Sequence, residues 1–391
     1  MKNMRFSRIA LQLGLTSLGL ILAHAPLSAA DVKGSVTTQW IGFPDSEPQN
    51  HSYGRSATLN LELYQRFEQA EFVADMIARL DDKDSGRRNL DATDAYVKTY
   101  LSELELYAGN RKIFWGKVES KNIVDVINQR DASANSGQTE KLGALSFSAE
   151  KYFDETELQF FFLPGFNTKT YNDADSHPST GLAFAAPEFE RKDGKKADEL
   201  AARFSGYYGG LDYALSGFYG TARDPIISPK ADGKLRPYYA MQRSIGVEGQ
   251  YTSEAVLLKL EVLFGKQGPS DFFAAVTGVE KTLYAVWDTQ WDAGLIGEVQ
   301  FDDRPQVANE LFGVVGVRLL LNDPQDTNFL VLHSSDREYD QTLLSLKGSR
   351  RLSESLFLEV NGSFFNARTP SSSFGMLSDD DQISAQLKWF F

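Results

Sequence analysis

The stretch Ile383-Ser-Ala-Gln-Leu-Lys-Trp-Phe-Phe391 alternates with a period of two. Ile383, Ala385, Leu387, Trp389 and Phe391 fall on one face, and Ser384, Gln386 and Lys388 on the other, with Phe390 as the exception. Successive side chains of a strand point to opposite faces, so this is a strand with one apolar and one polar side. The pattern repeats upstream. Leu59, Leu61 and Leu63 alternate with Thr58, Asn60, Glu62 and Tyr64, and Leu356, Leu358 and Val360 alternate with Glu359 and Asn361.

Eighteen segments read this way, with sixteen as the alternative count. They lie near 33–42, 54–67, 70–80, 94–102, 103–114, 143–152, 155–163, 197–208, 210–221, 238–252, 255–265, 271–284, 289–302, 310–322, 326–337, 341–351, 354–366 and 381–391. Short turns such as Ser102-Glu103, Asp154-Glu155 and Gly209-Gly210 mostly alternate with long connections such as 115–142 and 164–196. An antiparallel transmembrane β-barrel predicts this alternation, with tight turns at one rim and long loops at the other. A soluble sandwich also alternates, but it does not call for hairpins this long and regular. No apolar run of transmembrane-helix length follows residue 30.

The first thirty residues read as a secretory signal peptide. Lys2, Arg5 and Arg8 precede an apolar run from Ile9 to about Leu22, and the small residues Ser28 and Ala30 form a cleavage site. The expected division is a leader over 1–30 and one barrel domain over 31–391. Acids outnumber bases, 53 to 40, and removing the leader makes the mature chain more acidic still. That argues against a nucleic-acid partner. There is no cysteine, so an exported chain must draw its stability from a closed sheet or a large core.

Two features resemble porin-type outer-membrane barrels of Gram-negative bacteria. The terminal Ile383-x-Ala385-x-Leu387-x-Trp389-x-Phe391 is similar to the strand that the barrel-assembly machinery recognises, with Trp389 and Phe391 as the assembly signal. Trp115-Gly116, followed by Asp125-Val-Ile-Asn128 and Asp131, is similar to a segment of porin-like families that include alginate-export-like barrels. Gln129 departs from that pattern, which has proline there, and no ligand is carried across. The resemblance implies a bacterial outer-membrane location, with outer-membrane lipid, lipopolysaccharide and the assembly machinery as partners. It leaves a homo-oligomer open and implies no cofactor.

The function expected on this basis is passive diffusion of small polar solutes through a mixed-charge lumen. The polar halves of strands two to five supply the expected pore-lining residues Asp75, Arg79, Lys98, Tyr100, Glu105 and Arg111. The same charges would equally hold the barrel's shape through cross-strand pairs. Arg111 is expected roughly opposite Asp94. Trp115 is expected to close strand five at the membrane interface, with Gly116 permitting a sharp turn. Ile123, Val126 and Ile127 need cover, so the loop after Trp115 is expected to fold into the lumen with a helical turn near Ile123–Asn128. Asp125, Arg130 and Asp131 would then face the solute as a constriction. The acid runs Asp81-Asp82, Asp302-Asp303 and Asp379-Asp380-Asp381 read as solvated loops, and no metal site is expected. Two alternatives stand beside the channel. One is a non-transporting barrel with an adhesive or envelope-structural role. The other is a barrel hydrolase built on His333 and Ser335, for which no orienting acid is evident.

Overall fold

The computed structural model describes residues 30–44, 51–131, 133, 141–172, 174, 176, 181–307, 310–336, 338–369, 372 and 374–391. The leader expected at 1–30 lies outside them except for Ala30. The strands are β1 Asp31–Gly42, β2 Tyr53–Arg66, β3 Ala70–Asp81, β4 Asn89–Leu101, β5 Leu104–Arg111, β6 Ala144–Phe153 and β7 Thr156–Leu163. Next come β8 Glu188–Phe189, β9 Glu199–Tyr208, β10 Leu211–Thr221, β11 Ile226–Pro229, β12 Leu235–Tyr239, β13 Met241–Thr252 and β14 Val256–Gln267. The remainder are β15 Ser270–Leu283, β16 Asp292–Asp302, β17 Glu310–Leu320, β18 Asn328–Asp336, β19 Gln341–Ser353, β20 Leu356–Ala367 and β21 Gln382–Phe390.

Eighteen of these form one antiparallel sheet in chain order, and β1 closes it by pairing with both β2 and β21. A closed sheet leaves no backbone edge unpaired, which a bilayer requires. The three others, β8, β11 and β12, make a small separate sheet in the connections that the alternation pattern reads as loops over 164–196 and 222–237, with the end of β12 reaching into the strand expected from 238. Among the described residues the only helices are short 3₁₀ turns.

Register sorts each strand into an inner and an outer face. Ser56, Thr58, Asn60 and Glu62 of β2 stand opposite Asp81, Arg79, Ile77 and Asp75 of β3 on the inner side. Leu59, Leu215, Val299 and Val315 stand on the outer side, bare until a bilayer covers them. Differences from the sequence reading are local. A bulge between Asp75 and Met76 lets β4 begin at Asn89, ahead of the expected 94, and β5 ends at Arg111, ahead of the expected 114. Gly268, with φ at +58°, makes a tight β14–β15 turn on the rim that also carries the longest loops.

The apolar core lies inside the barrel. Ile113, Trp115, Val118, Ile123, Val126 and Ile127 from the β5–β6 connection pack on inward side chains of the wall, among them Phe161, Phe218, Leu263 and Phe272. The long inward-folded loop is therefore part of the fold.

Candidate functional site: the lumen and its inward loop

The loop leaves β5 at Arg111 and is tied at its base by Asn128. The Asn128 Oδ1 accepts the Ile113 N–H at 2.8 Å, and Nδ2 donates to the carbonyls of Arg111 at 2.7 Å and Leu142 at 2.8 Å. Trp115 is buried edge-on against Phe161, with ring centroids 6.1 Å apart. It does not sit at the membrane interface, because the strand has already ended and the loop has turned into the lumen. Gly116 has φ at +126°, and a Cβ there would lie 2.1 Å from Asn122 Oδ1. Only glycine fits that bend.

Beyond Gly116 the backbone is held by carboxylates on the opposite wall. Glu248 on β13 accepts the Gly116 N–H at 3.0 Å. Glu261 on β14 accepts Lys117 at 2.6 Å and Val118 at 3.1 Å through one oxygen, and Ile123 at 2.9 Å through the other. Glu298 on β16 accepts Glu119 at 2.8 Å and Ser120 at 3.1 Å. Ser120 Oγ also donates to Glu298. These bonds replace the i to i−4 ladder, and the expected helical turn near Ile123–Asn128 is absent. Glu248 and Glu261 face each other across β13 and β14, an arrangement of like charges. Arg203 at 3.0 Å from Glu248 and the loop's N–H groups offset the repulsion.

Ion pairs fix the loop around its circumference. Glu119 meets Arg318 at 2.7 Å, Lys121 meets Asp302 at 3.0 Å, and Asp131 meets Arg79 at 2.6 Å. Arg223, itself paired with Glu199 at 2.6 Å, donates through Nε to the Ile127 carbonyl at 2.6 Å.

The residues expected to form a constriction therefore sit differently. Asp125 is buried between Arg130 at 2.8 Å and Lys141 at 2.7 Å. Burial pushes its carboxyl above the ordinary range, against the opposing pull of Lys141 and Arg130. Asp131 is buried against Arg79, and Arg130 is half-buried. Their charges bind the loop to itself and to β3 and do not point down an open path.

The wall residues Asp75, Arg79, Lys98, Tyr100, Glu105 and Arg111 share the inner-facing register of β3, β4 and β5. Asp75 pairs with Lys112 at 2.9 Å, and Lys98 pairs with Glu105 at 2.9 Å and lies 5.0 Å over the exposed Tyr100 ring. Arg111 stacks 3.7 Å from the Tyr107 ring centre and pairs with Glu150 at 2.7 Å. It does not pair with Asp94, whose partner is Lys112 at 3.4 Å.

Where the loop leaves the wall uncovered, on the side of β19–β21 and β1–β3, a polar cavity of about 440 Å³ remains inside the barrel. Thr37, Gln39, Arg79, Arg351, Glu359 and Lys388 are among the residues lining it. Lys388 and Arg351 make no ion pair with a described carboxylate. Sequence reasoning set Lys388 on the polar face of the last strand but named neither it nor Arg351 as pore-lining, and it did not name the three anchoring glutamates. The available signal was a lone acid in an apolar alternating strand, as at Glu261 within Leu260-Glu-Val-Leu263.

No family model matches the chain, and no curated protein matches it in sequence. Solved structures do match. Wzi of Escherichia coli, an outer-membrane carbohydrate-binding β-barrel involved in group 1 capsule assembly, aligns with a TM-score of 0.56 and 12% identity over 96% of this chain and 87% of that one. A BenF-like porin from Pseudomonas fluorescens Pf-5 aligns with a TM-score of 0.56 and 11% identity over 93% of this chain and 98% of that one.

The chain has the fold of an outer-membrane porin barrel. In this porin fold His333 lies on the outer wall, level with Val315 and Leu344, and Ser335 shares that outer face. Neither stands in the lumen.

Proposed function

We propose that this protein is an outer-membrane channel for passive diffusion of small polar solutes. The observation that carries the reading is the uneven filling of the lumen. The inward loop packs on β7–β17 and leaves a polar cavity along β19–β21 and β1–β3, which we read as part of the solute's passage. The passage is lined by hydroxyl, amide and charged groups that exchange hydrogen bonds with a hydrated solute. Asp75, Lys98, Tyr100, Glu105 and Arg111 belong to the wall of the same lumen, mostly as neutral ion pairs. Lys388 and Arg351 add net positive charge to the passage and favour anions.

Trp389 and Phe391 serve assembly in this reading. Phe391 exchanges backbone bonds with Gly34, 3.0 Å each way, and so completes the seam between the ends of the chain. The residues that would act in catalysis face lipid, and the proposal includes no enzymatic step.

Swelling of liposomes carrying the purified protein tests this directly. Small sugars and amino acids should enter at a rate that falls steeply with solute size. Liposomes as tight as protein-free ones would overturn the channel and favour a non-transporting barrel.

A further inference from the structure

The outer wall of a membrane barrel is expected to be convex and apolar, but here it is interrupted by a depression of about 1190 Å³ over β6 to β14. Register explains the depression. Ala149, Phe160, Ala202, Gly217, Ile245 and Phe264 form one continuous cross-strand row on the outer face. Ala149, Ala202 and Gly217 contribute at most a methyl group, and a Cβ built on Gly217 would meet nothing within 4 Å. Aromatic neighbours stand up around this floor, so the hollow is long, apolar and open to the bilayer.

The next outer row toward the long-loop rim runs Phe147, Phe162, Leu200, Tyr219, Arg243 and Lys266. Arg243 and Lys266 are thus direct cross-strand neighbours, one step from Ile245 and Phe264 of the floor. Arg243 forms no ion pair with a described residue. Lys266 meets Asp271 at 2.9 Å, but that carboxylate is 77% exposed, and such pairs contribute little. An arginine on the lipid-facing wall is costly at the bilayer midplane and tolerated near the headgroups, where phosphate can accept two of its N–H groups.

From these two adjoining features we infer that the depression holds one acyl lipid of the outer leaflet, its phosphate between Arg243 and Lys266 and an acyl chain along the floor over Gly217. The apolar hollow alone fits any chain. The paired cations select a phosphorylated one, and the long-loop rim places it in the outward-facing leaflet. The site is independent of transport and depends only on the barrel's place in the outer membrane.

Native mass spectrometry of the purified barrel, titrated with diphosphorylated lipid A and with its phosphate-free analogue, tests the inference. Wild-type protein should bind one diphosphorylated lipid at least tenfold more tightly than the analogue. Gly217→Leu, which fills open space, and Arg243→Ser with Lys266→Ser should each lose that preference while keeping heat-modifiable gel mobility and wild-type conductance. Equal binding of both lipids, equal binding by all variants, or a dimer whose interface Gly217→Leu abolishes would each overturn it.

Discussion

Glu261 on β14 holds Ile123 on the inward loop: its carboxylate accepts the Ile123 N–H at 2.9 Å, across 138 residues of sequence. The same carboxylate takes the Lys117 and Val118 N–H groups, so one buried side chain fixes two separated turns of the loop.

Replacing Glu261 with alanine should release the loop. Each buried N–H left without an acceptor costs about 1–3 kcal/mol, and those of Lys117, Val118, Ile123 and Val124 depend on this residue. The barrel should persist, since its ladder is untouched. Limited proteolysis should then cut within 117–131 in the variant and spare the wild type. Equal resistance would show that the other anchors suffice.

Gly116→Ala should disturb the loop in the same direction through backbone strain. The residue sits at positive φ, and the added methyl collides with Asn122. A forced non-glycine conformation of this kind costs about 1–3 kcal/mol. Channel recordings should show a noisier or larger conductance with unchanged far-UV circular dichroism. A recording identical to wild type would mean that Asn122 moves aside without effect.

The eighteen strands were legible because each carries its own period-two pattern, as Leu59–Leu63 and Ile383–Leu387 do. The inward loop was legible because Ile123, Val126 and Ile127 are too apolar to hang in water. Its internal form was not. Local spacing suggested a helix, but the backbone donors find Glu248, Glu261 and Glu298 more than a hundred residues away, and no local pattern encodes that. Trp115 was placed at the interface because an aromatic at a strand end suits it, whereas three further residues carry it past the end of β5 into the lumen core. Arg111 does come roughly opposite Asp94, as expected, yet the two charges bond elsewhere. Lys112 takes Asp94, and Glu150 of the next strand takes Arg111.

Charge reversal in the passage should shift ion preference. Lys388→Glu combined with Arg351→Glu changes the local charge by four units with little burial at stake, since both side chains line open space. Reversal potentials in a salt gradient should move toward cations. An unmoved potential would place the selective region elsewhere in the lumen.

Closure of the barrel should depend on its last residues. Trp389 and Phe391 rings lie 5.2 Å apart at the seam, and Phe391 shares two backbone bonds with Gly34. A Cβ on Gly34 would come within 2.5 Å of the Phe391 ring. Trp389→Ser with Phe391→Ser should therefore abolish the heat-modifiable band in outer-membrane fractions, and Gly34→Val should weaken it. Normal levels of both variants would remove the terminal strand from the assembly step.

The inward loop as the element that narrows a conducting lumen is tested most directly by single-channel recording in planar bilayers. Wild-type protein and a variant lacking residues 119–139 should be compared at the same salt. Wild type should open discrete small channels, and the deletion should open larger ones while keeping heat-modifiable mobility. No channels from either protein, or the same conductance from both, would contradict it.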